Sequence, residues 1–223
     1  MNKVMLKIEL MEKLERHLRI ELDRAQLQFI LSDKCRSMYT TPRRCGKDTM
    51  IAARIAINAV ANPNKRYLVV SVTKASQRFI LDKVVEYLDI LTVNSGVIVQ
   101  SVDSGGKIML NNGTVINFMS SQNFRLQVCG MRIHEVIINE YMHNDLLDVF
   151  NLSCMLTVDY ANGKVFMVGT PYSSNTFREL AESIYIEHVQ VLNRHVPRMQ
   201  SLLELRNEID EDSFRREILG EIF

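Results

Sequence analysis

Lys47 directly follows Gly46, and this pair has the residue types and spacing best suited to phosphate chemistry. The short run 38–40 before the pair predicts a buried strand, and the alanine- and isoleucine-rich run 50–60 after it predicts a helix. In such a strand–loop–helix unit, backbone N–H groups at the helix N-terminus point at phosphates, and the lysine reaches the terminal phosphate. The pattern therefore predicts a phosphate-binding loop (P-loop).

The loop departs from the usual P-loop pattern GxxxxGK[ST] at two positions. Thr41 replaces the first glycine, and Asp48 replaces the serine or threonine whose hydroxyl normally ligates Mg²⁺. We nevertheless expect the whole loop to bind ATP. Its residues are Thr41, Pro42, Arg43, Arg44, Cys45, Gly46, Lys47, Asp48 and Thr49.

A second group of polar residues lies at the end of the run 135–139, which predicts a buried strand. These residues are Asn139 and the following Glu140. The carboxyl ends of parallel strands form the edge of a sheet where ligands bind. In nucleotide hydrolases the first of these two positions lies in the Mg²⁺ shell and the second polarises the attacking water. Glu140 is therefore a candidate catalytic base.

A third polar group follows the run 164–168, which predicts another strand. Small residues there allow the backbone and a threonine hydroxyl to approach a phosphate or the water. This turn consists of Gly169, Thr170 and Pro171.

Around the expected metal, a carboxylate is gained at Asp48 and one is missing at Asn139, where an aspartate is usual. Three hypotheses account for this exchange. In the first, the charge is transposed: Asp48 ligates Mg²⁺ directly or through water, and Asn139 orients a metal-bound water, since carboxylates are good ligands for Mg²⁺. In the second, Thr49 ligates the metal and Asp48 turns to solvent. In the third, the site has decayed and binds nucleotide poorly.

The sequence before the first predicted strand contains Gln26, whose side-chain amide offers a donor and an acceptor that suit the edge of adenine. A glutamine, a strand–loop–lysine–helix unit, a strand ending in Asn-Glu and a strand followed by Gly-Thr-Pro thus occur in order. This is the order expected of an ASCE-type ATPase.

Strands and helices alternate along the chain that must position these residues. The run 67–72 predicts a strand, 75–91 a helix, and 107–118 a hairpin turning at Asn111-Asn112-Gly113. The expected inner face of the helix comprises Phe79, Val84, Tyr87, Leu88 and Leu91. Further helices are predicted at 175–184, 199–209 and 212–222.

This alternation predicts an α/β fold of the P-loop NTPase class (ASCE, RecA-like), with a mostly parallel central sheet flanked by helices. Leucines near helical spacing in 3–31 predict one or two amphipathic helices. We expect an N-terminal helical segment at 1–35 and a P-loop ATPase domain at 36–223.

Composition excludes several classes of protein. The 223 residues carry a net charge of +1, so the chain lacks the overall basic character typical of nucleic-acid-binding domains. Any contact with DNA must come from a local patch or from several copies. No apolar run reaches the ~18 residues of a membrane span, and the first residues lack the apolar core of a signal peptide.

The ordered motifs resemble the ATPase domain of the large terminase subunit, the DNA-packaging motor of tailed phages and herpesviruses. Segment 42–47 (PRRCGK) is similar to the deviant Walker A loop of that family, 129–140 (CGMRIHEVIINE) to its Walker B strand with the lead-in, and 169–171 (GTP) to its coupling motif. Segments 110–118 (LNNGTVINF) and 214–223 (FRREILGEIF) resemble the stretch before Walker B and the exit from the domain.

The resemblance implies a role for each matching residue. Lys47 would hold the β- and γ-phosphates of ATP, and Arg43 would contact the γ-phosphate and stabilise transition-state charge. Glu140 would be the catalytic base, Thr170 the coupling residue and Gln26 the adenine reader. ATP and Mg²⁺ are the implied substrate and cofactor.

The resemblance also implies partners. Large terminase subunits move double-stranded viral DNA into a procapsid, as a homo-oligomeric ring working with the portal protein and the small terminase subunit. This implies a place in the cytoplasm or nucleus of the infected host cell, transiently at the procapsid portal, with no secretion and no membrane. The nuclease domain of the family is expected to be absent from this chain, either removed or encoded separately.

Two other functions remain open. A helicase-like ATPase would share the motifs but should carry a second RecA-like domain. A non-catalytic or degenerate P-loop module would account for Asp48 and Asn139.

Overall fold

The computed structural model describes residues 3–43, 45–128, 130–140, 146–157, 163–170 and 187–190, with the single positions 210, 212 and 215. Arg44 and Pro171 lie outside the described residues, as do the helices predicted at 175–184 and 199–209 and nearly all of the one at 212–222.

Helices and strands alternate through the described ranges. The helices are α1 (Lys3–Leu18), α2 (Arg24–Leu31), α3 (Lys47–Ala61), α4 (Lys74–Thr92), α5 (Phe124–Gln127) and α6 (Leu146–Thr157), with a short 3-10 helix at Ser121–Asn123. The strands are β1 (Arg36–Thr40), β2 (Arg66–Ser71), β3 (Val99–Val102), β4 (Lys107–Leu110), β5 (Val115–Ser120), β6 (Glu135–Asn139), β7 (Lys164–Gly169) and β8 (Glu187–Gln190).

The strands form one sheet in the order β3-β4-β5-β2-β6-β7-β1-β8. From β5 to β8 every pairing is parallel, and only the β3–β4–β5 edge is antiparallel. Strand β7 therefore lies between the strand that leads into the loop and the strand that ends in Asn139. The predicted α/β fold with a mostly parallel sheet is confirmed, and so is the hairpin at 107–118.

Alternating residues of the parallel strands point to opposite faces of the sheet and feed two hydrophobic cores. In β6, for example, Ile137 packs in one core, whereas Val136 and Ile138 pack in the other. Helices α1 to α4 cover the first core, and residues of α5 and α6 cover the second. Since both faces are covered, the central strands are apolar throughout, as buried parallel strands usually are.

Helix α3, which follows the loop, is buried from Met50 to Ala61. Its alanines allow neighbouring elements to approach closely, and Ala has the highest helix propensity. Leu10, Met11 and Leu14 of α1 pack in the same core as α3. The division of the chain at residues 35 and 36 stays a prediction.

Two details differ from the sequence-based expectations. Phe79 is 53% exposed and was wrongly assigned to the inner face of α4, because Ile80 and Leu81 occupy the inward positions beside it. Its ring lies 5.5 Å from Nζ of Lys83, an arrangement that suits a cation–π contact at the surface. Strand β3 was not predicted, because its side chains are mostly exposed and lack an apolar alternation.

Among the helices described, none is both long and apolar enough to span a membrane.

Candidate functional site

The loop is anchored at its start by a hydrogen bond to the sheet and at its end by the first residue of α3. The backbone N–H of Thr41 donates to the carbonyl oxygen of Gly169 at 2.8 Å, which ties the start of the loop to the end of β7. Gly46, the N-cap of α3, has φ +70 and ψ 29, a left-handed conformation that glycine adopts without steric cost. Helix α3 therefore starts at Lys47, with its free N–H groups beside the loop.

Lys47 extends from α3 to the end of β7. Its Nζ donates to Oγ1 of the buried Thr170 at 2.8 Å. Burial lowers the pKa of Lys47, while the carboxylates of Glu140 and Asp48 oppose that shift. The structure thus joins the lysine of the loop to the threonine of the turn by a hydrogen bond and places the glutamate that follows β6 near enough to raise the pKa of that lysine.

Glu140 lies just beyond the carboxyl end of β6, and its backbone N–H donates to the carbonyl oxygen of Val168 at 2.8 Å. Its side chain is exposed, and its backbone has φ +57. A non-glycine residue pays roughly 1–2 kcal/mol for this left-handed conformation. Strain of this kind is concentrated at functional sites, where it fixes the direction of a side chain.

Asp48 and Asn139 meet at the same edge. Burial raises the pKa of Asp48, and the carboxylate of Glu140 raises it further. The side chain of Asn139 lies close enough to Asp48 to lower the pKa of its carboxyl against these effects, and its Nδ2 donates to Oγ of Ser76 at 3.4 Å. The side chain of Thr49 instead lies beside the hydroxyl of Tyr87 in α4 and lowers the pKa of that hydroxyl. Asp48 is therefore the side chain of this pair that lies beside Asn139, at the end of β6.

Among the residues that the structure describes, several buried polar atoms at this edge have no hydrogen-bond partner. They are Oγ1 of Thr41, Oγ of Ser71 and Oδ1 of Asn139. Thr41 follows β1, Ser71 ends β2 and Asn139 ends β6. Buried polar groups are usually paired, so orphaned atoms at a ligand-binding edge point to an absent polar ligand or to ordered water.

The oxygen atoms at this edge fit a hard cation. Asp48 supplies a carboxylate, and Asn139 supplies the orphaned amide oxygen. No preformed cluster of three or more His, Cys, Asp or Glu is found in the part of the chain that the structure describes. Mg²⁺ commonly binds through one or two carboxylates together with substrate phosphates, so the residues present fit this ion in company with a triphosphate.

Gln26 lies at the other side of the loop. Its Oε1 accepts from the backbone N–H of Asp23 at 3.0 Å, as part of a capping box at the start of α2. Its Nε2 donates to the carbonyl oxygen of Cys45 at 3.1 Å. The structure places Gln26 against the loop itself, and the adenine-reading role stays a prediction.

The remaining loop residues differ in exposure. Pro42 is buried, Arg43 is exposed, and the positive charge of Arg43 helps to lower the pKa of Lys47. Cys45 is half-buried, and burial raises the pKa of its thiol.

Sequence reasoning missed two residues of α4 that border the site. Ser76 bonds to Asn139, and the charge of Lys83 lowers the pKa of Asp48 against the effect of burial. The sequence around these two residues gives no signal of this role. They reach the end of β6 only because α4 packs against the sheet.

A buried ion pair between α3 and the amino end of β6 was also missed. Arg54 is 1% exposed, and its guanidinium meets the carboxylate of Glu135 at 2.7 and 3.0 Å. The signal in the sequence was a lone arginine inside an otherwise apolar helical run.

No protein-family model and no curated protein matches this sequence. Solved structures that resemble it include large terminases of bacteriophages. The large terminase ATPase domain of Thermus phage P74-26 is similar over 91% of this chain and 94% of its own length, with a TM-score of 0.76 and 18% identity.

Two longer large terminases show the same likeness. The large terminase of bacteriophage HK97 has a TM-score of 0.68 and 12% identity, over 91% of this chain and 51% of its own length. A large terminase from a thermophilic bacteriophage, in complex with ADP, has a TM-score of 0.65 and 13% identity, over 90% of this chain and 53% of its own length. This chain spans about half of these two proteins. Its fold is therefore that of the phage large-terminase ATPase domains.

Proposed function

We propose that this chain is the ATP-hydrolysing motor domain of a viral terminase large subunit. The single observation that carries the proposal is the meeting of Lys47, Thr170 and Glu140 at the carboxyl edge of a terminase-like sheet. Phosphoryl transfer requires a lysine that binds the phosphates and a carboxylate that orients the attacking water. Lys47 and Glu140 are close enough for the carboxylate to raise the pKa of the lysine. The solved relative with bound ADP supports nucleotide binding by this fold.

In the proposed reaction, the γ-phosphate of ATP lies against the N–H groups at the start of α3. Lys47 leaves Thr170 for the β- and γ-phosphates, where its charge offsets that of the phosphate oxygens. Arg43, exposed on the loop, adds a second positive charge at the γ-phosphate. Glu140 orients the water that attacks the γ-phosphorus in line and accepts its proton, while the bond from that phosphorus to the β,γ-bridging oxygen breaks and ADP leaves.

For the metal we propose that Asp48 and Asn139 hold Mg²⁺, since the side chain of Asn139, whose amide oxygen is unpaired, lies near Asp48. Mg²⁺ bound there would neutralise charge on the phosphates. Thr49 is less suited to this role, because its side chain lies beside the hydroxyl of Tyr87.

The motor would use this hydrolysis to drive double-stranded DNA into a procapsid. The proposed partners are the DNA, the portal protein, the small terminase subunit and further copies of the chain in a ring, with an arginine contributed in trans by the neighbouring copy. The proposed coupling residues are Gly169, Thr170 and Pro171. Because Thr170 contacts Lys47 directly, a change at the phosphates would reach the end of β7.

Binding and turnover of ATP by the isolated chain test the proposal. We expect ATP to bind the wild type and to be hydrolysed slowly, because the neighbouring copies are missing. Lys47→Ala should abolish binding, whereas Glu140→Gln should retain binding and lose turnover. Lys34→Ala removes an exposed lysine that precedes the amino end of β1, whereas the loop follows the carboxyl end of that strand, and it should behave as the wild type.

A degenerate P-loop module is the alternative that one observation favours, namely the carboxylate of Asp48 beside the lysine, where it would repel a triphosphate without metal. Absence of ATP affinity in the wild type, with and without Mg²⁺, would support this alternative and contradict the motor. Fast turnover by the monomer would instead contradict the need for a ring.

A further inference from the structure

The side-chain amide of Gln26 contacts the phosphate-binding loop from helix α2. Both ends of that amide have partners within the protein, because Oε1 accepts from Asp23 and Nε2 donates to the carbonyl oxygen of Cys45. We propose, building on the function proposed above, that Gln26 is a positioning residue that holds the loop ready for a phosphate chain, whatever base is attached to that chain.

The contact with Cys45 sets the orientation of one peptide group of the loop. In a trans peptide the C=O and the following N–H point in opposite directions. When Gln26 holds the Cys45 carbonyl at 3.1 Å, the N–H of Gly46 is directed away from Gln26. An N–H fixed in this way costs no reorganisation when an anion arrives, which is the benefit of a preorganised donor.

Close packing between Gln26 and Gly46 supports the same role. A Cβ atom at Gly46 would lie 2.6 Å from Nε2 of Gln26, well inside contact distance. The amide therefore fills the space that this glycine leaves open. The capping box fixes the other end of the amide to the first turn of α2. The loop is therefore tied to a helix that packs in the first of the two cores, the one covered by α1 to α4.

Ligands with and without a base separate positioning from base reading. ATP, GTP and inorganic tripolyphosphate would be titrated into the wild type, Gln26→Ala and Gln28→Ala, with Mg²⁺ present. Gln28 is an exposed glutamine of the same helix and gives a matched control. Because Gln26→Ala removes a neutral hydrogen bond to the loop, we expect the affinity for all three ligands to fall by the same factor, about two- to tenfold. A loss confined to ATP, or no loss at all, would overturn the proposal.

A second measurement needs no nucleotide. Cys45 lies next to the peptide that Gln26 holds, is half-buried, and has a thiol pKa raised by burial, so its alkylation in the native protein should be slow. Releasing the loop should speed alkylation of Cys45 by about two- to tenfold in Gln26→Ala and leave it unchanged in Gln28→Ala, as followed by mass spectrometry of the peptide.

The two measurements distinguish the proposals. An unchanged alkylation rate in Gln26→Ala, with a melting temperature equal to that of the wild type, would overturn the positioning role even if ATP binds. A faster rate in a protein whose wild type binds neither tripolyphosphate nor ATP would support the positioning of the loop and refute the proposed function.

Discussion

The two ends of strand β6 carry polar residues in opposite states. At the amino end, Glu135 is 4% exposed and fully engaged with Arg54. At the carboxyl end, Asn139 has an orphaned oxygen and Glu140 has a strained backbone. The ends are only one short strand apart, so burial in the same sheet does not explain the difference.

The amino end is satisfied by the protein alone. Besides Glu135, Arg54 donates to the carbonyl oxygens of Ile30 and Ser32 at 3.2 and 3.0 Å, and its guanidinium lies 3.8 Å from the centroid of the Phe166 ring. These contacts join α2, α3, β6 and β7. A buried charge pair with complete hydrogen bonding serves the fold, although its net stabilisation over apolar residues is often small.

The carboxyl end lacks such completion, and under the proposed function its groups are completed by the phosphates and the metal. Lys47, Asp48 and the unpaired amide oxygen of Asn139 lie at this edge at some cost in desolvation, with the exposed Glu140 beside them. The fully paired groups at the amino end have the character of a structural ion pair. The unpaired groups at the carboxyl end are those expected of the proposed ligand site. Substitutions at the two ends should therefore affect stability and function differently.

The largest expected effect is at the amino end. Arg54→Met leaves the carboxylate of Glu135 buried without its partner, and we expect a loss of about 3–5 kcal/mol in the free energy of unfolding, measured by urea denaturation. The double substitution Arg54→Met with Glu135→Leu should recover most of that loss. Arg78→Met breaks an exposed i,i+4 pair with Asp82 and serves as the control, with an expected change below about 1 kcal/mol. Equal losses in the two single variants would contradict the comparison.

At the carboxyl end, Asp48→Ala should change the response to metal, because alanine offers the ion no oxygen, unlike the threonine of the usual P-loop pattern. If Asp48 ligates Mg²⁺, removal of its charge should raise the Mg²⁺ concentration for half-maximal turnover by about tenfold or more. Thr49→Val is the matched variant and should leave that concentration unchanged. The reverse result, with only Thr49→Val affecting the metal response, would favour the shifted register and contradict the transposed charge.

Glu140→Gly should separate stability from function. Glycine relieves the left-handed strain but gains entropy in the unfolded chain, so we expect a net stabilisation of about 1 kcal/mol or less. ATP turnover should be lost at the same time. Glu140→Gln keeps the strain and should lose turnover without the gain in stability. A loss of stability in Glu140→Gly would show that the backbone at this residue is not strained.

The smallest expected effect is a pH dependence at the amino end. Burial, with the charges of Lys65 and Arg66, lowers the pKa of His134 from 6.5 to about 4, and its Nδ1 accepts from the backbone N–H of Arg66 at 3.1 Å. Between these values the unfolded chain binds a proton that the folded protein does not bind, so stability should fall as the pH falls from 6.5 towards 4. His134→Asn, which does not titrate, should show a smaller fall in denaturation curves over this range.

The sequence by itself determined the strand–loop–helix unit around Gly46 and Lys47, the strand at 135–139 and the hairpin at 107–118. These features depend on local causes, namely the left-handed conformation that glycine allows, the propensity of alanine for helix, and runs of apolar residues. Their order also predicted the fold class. The roles of Lys47, Glu140 and Asp48 remain predictions for the experiments above.

Only the tertiary structure decided which polar groups are paired within the protein and which are buried without a partner. Arg54 and Glu135 are 81 residues apart in the chain, and Gln26 and Cys45 are 19 apart. Their contacts arise from the packing of α2 and α3 against the sheet, which no local pattern specifies. Burial without a partner is likewise a property of the assembled core, so the orphaned oxygen of Asn139 could not be read from the residues around it.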